Sequence, residues 1–337
     1  MTQVYSKALQ KTISADRIIG KVKGNKNGPT VIYFSGIHGN ETAGVFALQE
    51  VLSKIKSQNQ IIKGTIYGVL GNRKALELDQ RYVDVDLNRI WTKPNLESLN
   101  KKKGLNNEEK EQIELFHLLK EILNSNNGPF YFIDLHTTSS KTLPFITIDD
   151  AIINRKFSRL FPVSIVLGIE EYLTGPLLSY INTLGYVSLG FESGQHYEKE
   201  AIINGVAFIY LSLVFTNAID KTEVLDFEKY YNQLLMASKK TREISEVIYL
   251  HKIKEDEVFK MKLGFKSFQL IKKGTSLALS NNSEIKSKYN AKIFMPFYQT
   301  KGKEGFFLIK RINPLFLKLS VLLRKFRIDN FFILFPG

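Results

Sequence analysis

The chain has 337 residues, 44% hydrophobic and 24% charged, with a formal net charge of +14. That length holds one large domain or two ordinary ones with a sizeable core, and the composition excludes a disordered or fibrous chain. There is no cysteine, which excludes disulfides, thiolate catalysis and cysteine-ligated zinc, so a metal would have to be held by histidine and carboxylate.

The first residues, MTQVYSKALQKTIS, lack the apolar core of a secretory signal, and no apolar run approaches the ~20 residues of a membrane helix. A cytoplasmic protein is expected. Short continuous apolar runs then follow at Val31–Phe34, Thr65–Leu70, Phe130–Leu135, Ser164–Gly168 and Tyr186–Phe191. Their lack of alternation predicts strands covered on both faces by helices. Between them, residues 41–56 place Val45, Leu48, Leu52 and Ile55 on one helical face. Residues 107–125 do the same with Ile113, Phe116, Leu119 and Leu123, behind an acidic first turn and ahead of Gly128. Strands alternating with helices predict an α/β domain, with a mostly parallel or mixed sheet, over residues 1–222.

Beyond residue 222 the texture changes. VIYLHKI, FKMKLGF and KIFMPFY read as strands separated by the turn-rich KKGTS, SNNSE and TKGKEG, which predicts a smaller β-rich C-terminal domain over 223–337. Residues 301–337 carry eight basic side chains against two acidic ones, so the charge surplus is concentrated there. The last stretch, RINPLFLKLSVLLRKFRIDNFFILFPG, reads as a basic amphipathic tail, either docked on the body or touching a membrane surface, with docking the commoner fate. Elsewhere the lysines are scattered singly, as on a solvated surface, and nucleic acid is not expected as a partner. The oligomeric state is left open, a homo-oligomer included.

Of five histidines, two stand at the ends of predicted strands: His38 after VIYFSGI and His136 after FYFIDL. Ligand crevices of α/β sheets lie at the carboxyl ends of strands, so these two could converge. Glu41 follows His38 by three residues where loop becomes helix, which puts both on one side of a turn. With His136 they make a His2Glu set of the kind found in catalytic zinc sites, which keep an open position. HxxE alone carries little specificity, and a polar turn accounts for it equally well. The segment RYVDVDLNRIW, residues 81–91, offers Arg81, Asn88 and Arg89 beside Asp84 and Asp86, either to grip an oxyanion or simply to pair with those aspartates. In GFESGQH, residues 190–196, Glu192 could serve as a general base, or as a turn carboxylate. Asp134, two before His136 on the same side of a strand, could orient a histidine or Arg81.

HGNE, RYVDVDLNR, DLHTT and GFESG, in that order, resemble the succinylglutamate desuccinylase and aspartoacylase family, and MPFYQTKGKEGFF at 295–307 is similar to its C-terminal signature. The resemblance implies a metallocarboxypeptidase-like α/β fold with a β-rich C-terminal domain, and a zinc-dependent hydrolase acting on a small N-acyl amino acid. It further implies that His38, Glu41 and His136 hold one zinc ion and that Glu192 is the catalytic base and acid. Arg81 would stabilise the oxyanion, Asn88 and Arg89 would hold the α-carboxylate, and Tyr298 would close over the substrate. Aspartoacylase has an arginine for the second carboxylate ten residues before its catalytic glutamate. Asn182 stands there in this chain, and no Lys or Arg occurs between Leu160 and Glu198. A substrate with an acidic side group is therefore not favoured. Two other readings stay open: a metallocarboxypeptidase acting on short peptides, and a non-catalytic binding protein with a membrane-facing tail.

Overall fold

A computed structural model describes residues 1–99 and 101–313, together with Leu315 and Leu317. The basic tail from residue 318 onward lies outside the described residues. The chain opens with a hairpin, β1 (Thr2–Ser6) and β2 (Lys11–Ala15), that forms its own small sheet. It continues through β3 (Ile18–Lys23), β4 (Lys26–Ser35), α1 (Ala43–Ser57), β5 (Lys63–Leu70), α2 (Arg73–Glu77), α3 (Lys93–Leu99), α4 (Asn107–Ser125) and β6 (Phe130–Thr138). The second half of the α/β region has β7 (Phe145–Thr147), α5 (Ile152–Ser158), β8 (Ser164–Leu167), α6 (Leu177–Thr183), β9 (Val187–Gln195), α7 (Lys199–Phe215) and α8 (Phe227–Ala237). The remainder is β10 (Ile244–Lys252), β11 (Phe259–Met261), β12 (Gln269–Ile271), β13 (Ser276–Ser280), β14 (Ser283–Lys286), β15 (Ala291–Phe294) and β16 (Glu304–Arg311).

Eleven strands form one mixed sheet in the order β12-β15-β16-β10-β8-β7-β9-β6-β4-β5-β3. The pairs β5–β4, β4–β6 and β6–β9 are parallel, so the carboxyl ends of β4, β6 and β9 come out on one edge of the sheet. β7 runs antiparallel to β9, and β16, β15 and β12 add antiparallel pairs beyond β10. The strands β11, β13 and β14 form a separate three-stranded sheet.

The two-residue period of a strand sorts the side chains of this sheet into two layers. Val31, Tyr33, Ile133, Leu135, Leu189 and Phe191 pack with residues of α1 and α7, including Leu48, Ala207 and Phe208. Ile32, Phe34 and Phe132 face the other way, onto Leu115, Leu119 and Ile122 of α4 and Leu177 and Ile181 of α6. Apolar side chains on both faces explain the continuous apolar runs. Phe191 and Phe208 stack with centroids 3.8 Å apart and are fully buried, fixing β9 against α7. A further cluster of Phe145, Val166, Val247, Phe294, Phe307 and Ile309 ties β7 and β8 to β10, β15 and β16. No helix among the described residues is long and apolar enough to cross a membrane.

Candidate active site

On β6 and β9 the residues that face the α4 and α6 layer end in Asp134 and His136 and in Gly190 and Glu192. His136 and Glu192 are register partners, so the β-pairing alone places them side by side. The third arm comes from the turn after β4. Gly36 has φ +70°, which an L side chain rarely adopts. Gly39 packs so closely that a Cβ there would lie 2.1 Å from the Ala75 carbonyl carbon. These two glycines bend the chain tightly enough for His38 and Glu41 to face His136. Gly39→Ala is expected to cost about 1–3 kcal/mol, the usual penalty of overpacking, because the obstacle is backbone rather than a movable side chain. Denaturant unfolding would measure it, and an unchanged midpoint would refute the close approach.

His38, Glu41 and His136 bring their ligand atoms within 4.8 Å of one another, and all three are at least nine-tenths buried or nearly so. Glu41 bridges the two rings, with Oε1 2.8 Å from Nδ1 of His38 and Oε2 3.0 Å from Nδ1 of His136. Its Oε2 also accepts the Thr137 N–H at 2.8 Å. The outer ring nitrogens meet carboxylates as well: Nε2 of His38 is 3.1 Å from Asp86 Oδ1, and Nε2 of His136 is 2.7 Å from Asp134 Oδ2. Each imidazole thus has one nitrogen aimed at Glu41 and a carboxylate close to the other, through a hydrogen bond between His38 and Asp86 and through charge contact alone between His136 and Asp134. A carboxylate behind a ligand histidine fixes its tautomer and raises its basicity, so this donor set fits a catalytic zinc ion. Burial raises the pKa of Glu41, but the two histidines outweigh it and hold the carboxyl well below its usual range. Burial works the other way on His136, and Asp134 and Glu41 outweigh it to raise that imidazole well above its usual value.

Arg81 donates from Nε and Nη2 to Asp86 Oδ2 at 3.0 and 2.9 Å, and its Nη1 is 3.8 Å from Glu41. Asp86 therefore anchors both Arg81 and His38. Glu192 is buried, its Oε2 has no hydrogen-bond partner among the described residues, and burial pushes its pKa up to about 8. His196 is held by Thr137 Oγ1 at 2.7 Å from its Nδ1 and lies 3.5 Å from Gln299 Oε1.

His38, Glu41, Arg81, His136, Glu192 and His196 line one cleft together with Asn88, Arg89, Asp149, Ser179, Met295, Phe297 and Glu304. Asn88 Oδ1 accepts the Leu177 N–H at 2.9 Å, which turns its amide nitrogen free. Arg89 donates from Nε to Glu304 Oε1 at 3.0 Å and from Nη1 to the Asn88 carbonyl at 2.8 Å. Tyr298 is placed differently from the other predicted site residues. Its hydroxyl donates to the Lys262 carbonyl at 2.7 Å and accepts the Phe265 N–H at 3.1 Å. It borders a neighbouring groove, while Phe297 and Gln299 on either side of it reach the cleft. Asn182 accepts a bond from Asn154 at 3.1 Å, and Leu178 and Ser179 of the same helix line the cleft instead.

Four contributors were not assigned from the sequence. Asp86 was one of several charges in its segment, and only its two partners reveal what it does. Glu108 looked like a helix-start signal, yet its buried carboxylate accepts the N–H groups of Val83, Asp84 and Val85 at 2.7, 2.9 and 3.2 Å and shapes the loop that carries Arg81 and Arg89. Glu304 sat inside the C-terminal motif without a role. Asp149 had no motif around it at all.

Near Asp149, the carboxylate of Glu170 accepts the Asp150 N–H at 2.8 Å, and burial pushes its pKa up to about 7. A raised acid pKa means that the folded chain holds this proton more tightly than the unfolded chain. Its effect on stability is therefore adverse as pH rises from about 4.5 through about 7. Glu170→Gln, which keeps the acceptor, is expected to raise the melting temperature relative to the parent at pH 8 and to lose that advantage at pH 4.5. An equal difference at both pH values would show that Glu170 does not titrate in this way.

Residues 27–168 match the Succinylglutamate desuccinylase/Aspartoacylase catalytic domain. That span contains His38, Glu41, Arg81, Asn88, Arg89 and His136 and stops short of Glu192. The succinylglutamate desuccinylase of Pseudomonas aeruginosa is 29% identical over 111 residues, 33% of this chain and 32% of that one. A probable aspartoacylase of Acaryochloris marina is 27% identical over 124 residues, 36% and 39% of the two chains. The aligned part thus spans about a third of these curated relatives' length. In fold the likeness extends much further. A succinylglutamate desuccinylase/aspartoacylase structure from Rhodobacter sphaeroides superposes with a TM-score of 0.64 at 15% identity, covering 92% of this chain and 94% of the other. The product-bound ectoine utilization protein EutE of Ruegeria pomeroyi does so with a TM-score of 0.63 at 15% identity, covering 87% and 88%. Residues 27–168 thus carry the catalytic-domain pattern of the succinylglutamate desuccinylase/aspartoacylase family, and the chain shares the fold of solved structures that bear that name.

Proposed function

We propose that this chain is a zinc-dependent deacylase that hydrolyses the amide bond of a small N-acyl amino acid. The observation that carries the reading is the convergence of His38, Glu41 and His136 with Glu192 and Arg81 in one cleft. His38, Glu41 and His136 would hold the zinc ion, with Asp86 and Asp134 steadying the two imidazoles. A zinc ion so held supplies Lewis-acid chemistry, acidifying water to a pKa of ~7 and polarising a carbonyl.

The protein groups divide the remaining work. Glu192, with a free oxygen in a water-poor pocket, takes the proton of the attacking water and returns it to the departing amine. That return is essential, because an amide anion is a very poor leaving group. Arg81, fixed by Asp86, offsets the negative charge that develops on the carbonyl oxygen, where preorganised charge is most effective. The amide nitrogen of Asn88 and the Nη2 of Arg89 have no partner among the described residues and suit a carboxylate. Met295, Phe297, Gln299 and Glu304 stand on the cleft's wall, which leaves little room for an extended peptide and favours a small substrate over the carboxypeptidase alternative.

Two measurements test this together. Protein purified without chelators is expected to carry about one zinc per chain. It is also expected to release free amine from a panel of N-acyl amino acids in which acyl group and amino acid are varied separately. Zinc-free protein that cannot be loaded, or loaded protein inert on the whole panel, would overturn the proposal.

A further inference from the structure

The far end of the cleft differs chemically from its catalytic end. Its lining there includes Ile148, Ile169, Leu173 and Leu178, with Thr147, Asp149, Ser179 and Ser188 the polar members. β7 pairs antiparallel with β9, Phe145 lying opposite Glu192 and Thr147 opposite Gly190. Asp149 is thus four residues further from the catalytic edge than the position facing Glu192, at most about 13 Å along the strand. Gly190 keeps the way between them open, since a Cβ there would lie 2.6 Å from Thr147 Oγ1 and 3.5 Å from Leu178.

Asp149 is the only ionisable group on this end of the lining, and it has no cationic partner among the described residues. One of its oxygens accepts the Ser179 hydroxyl at 3.0 Å, and no donor among the described residues meets the other. Arg155, on the helix that follows, is engaged with Asp150. At the opposite end, Arg81 and Arg89 are matched by Asp86 and Glu304. Half-buried and unpaired, Asp149 pays a desolvation cost that raises its pKa, a cost that a cation in the cleft would remove.

We propose that Asp149, assisted by Ser179, selects the substrate's variable group, favouring one that ends in a protonated amine and excluding one that ends in a carboxylate. The proposal rests on the deacylase reading above and deepens it. The apolar walls carry the methylenes of such a group, and Asp149 receives its ammonium head, as a flexible aliphatic stem with a charged tip requires. An anionic tip would meet Asp149 as a like charge with no cation at hand, and this repulsion is what separates the two classes.

The test compares kcat/KM for N-acetyl derivatives of lysine, ornithine, leucine and glutamate, in zinc-loaded parent and in Asp149→Asn. The parent is expected to prefer the cationic members over leucine by about tenfold or more, with glutamate last, consistent with one charge pair of modest depth. Asp149→Asn keeps the Ser179 bond and is expected to reduce the lysine-to-leucine ratio about tenfold and to narrow the gap to glutamate. Asp149→Glu, which restores the charge, is expected to recover part of the ratio. A parent that prefers leucine or glutamate, or a ratio unmoved by Asp149→Asn, overturns the proposal while leaving the deacylase reading intact. Thermal shifts with free lysine and free glutamate give a readout that needs no turnover: stabilisation by lysine, lost in Asp149→Asn, supports the assignment, and equal shifts oppose it. Failure to hydrolyse any member is a different result, since it strikes the deacylase reading itself.

Discussion

Glu192→Gln is expected to lower turnover by about two to four orders of magnitude, the usual contribution of a positioned general base. The amide is isosteric with the carboxyl, so the stacking of Phe191 on Phe208 beside it and the pairing of His136 with position 192 stay as they are. Metal content is expected to be unchanged, because Glu192 is not among the three residues whose donors converge. The substitution also removes an acid from a site where no partner meets its Oε2, so a small gain in stability is expected alongside the loss of activity. The decisive comparison is kcat against bound zinc in one preparation. Retained turnover removes Glu192 from the mechanism, whereas loss of both would make it a determinant of the metal site.

Asp86→Asn should produce the second large effect, and on two quantities at once. Asp86 holds Nε2 of His38 through one oxygen and the Nε and Nη2 of Arg81 through the other, and it also accepts the Asn88 N–H at 2.9 Å. Burial alone would raise its pKa, yet Arg81 and His38 hold it well below the usual carboxylate range, so it is charged throughout the neutral region. An amide in its place keeps one acceptor and turns a donor toward a donor. Loss of the group behind a ligand histidine typically weakens metal binding about 10- to 100-fold. Releasing Arg81 adds a separate penalty on kcat of about 10²- to 10³-fold, the scale set by removing one oxyanion donor. Competition against a chromogenic chelator reads the first effect, and kcat at saturating zinc reads the second. If kcat recovers fully once zinc is saturating, Asp86 acts on His38 alone and the coupling to Arg81 carries no catalytic weight.

The parts of this protein that were legible in its sequence are those whose chemistry is local. Buried strands announced themselves because both faces of β4, β6 and β9 are covered, and α4 by its first turn and extent, although its buried apolar side is Leu115, Leu119 and Ile122, with Ile113, Phe116 and Leu123 only partly covered. His38, Glu41 and His136 could be grouped because strand ends gather on one edge of such a sheet. What stayed hidden depends on contacts far apart in the chain. Glu304 is 215 positions from Arg89, and no spacing rule connects them. Glu108 was visible as a helix-start residue, but the three backbone N–H groups that it collects belong to another loop. The sheet itself also ran further than the texture suggested. Four of the strands after residue 243, β10, β12, β15 and β16, join the same hydrogen-bonded array through β10 against β8, because Ile165, Val166 and Leu167 find Ile244, Ser245 and Glu246 alongside.

That continuity has a mechanical consequence. The floor of the cleft, on β6 and β9, and the segment that walls it, between β15 and β16, are connected through β10, β8 and β7 by unbroken backbone pairing. Two bodies joined in this way cannot swing apart on a hinge, since opening would shear a ladder of hydrogen bonds in the middle of the sheet. The turn at 295–303 brings Phe297 and Gln299 to the cleft and is itself pinned, Lys301 gripping the Tyr82 carbonyl at 2.8 Å and Gln299 meeting Asn40 at 3.3 Å. The wall of the cleft is therefore built into the same sheet as its floor, and the spacing between them is set by the fold itself.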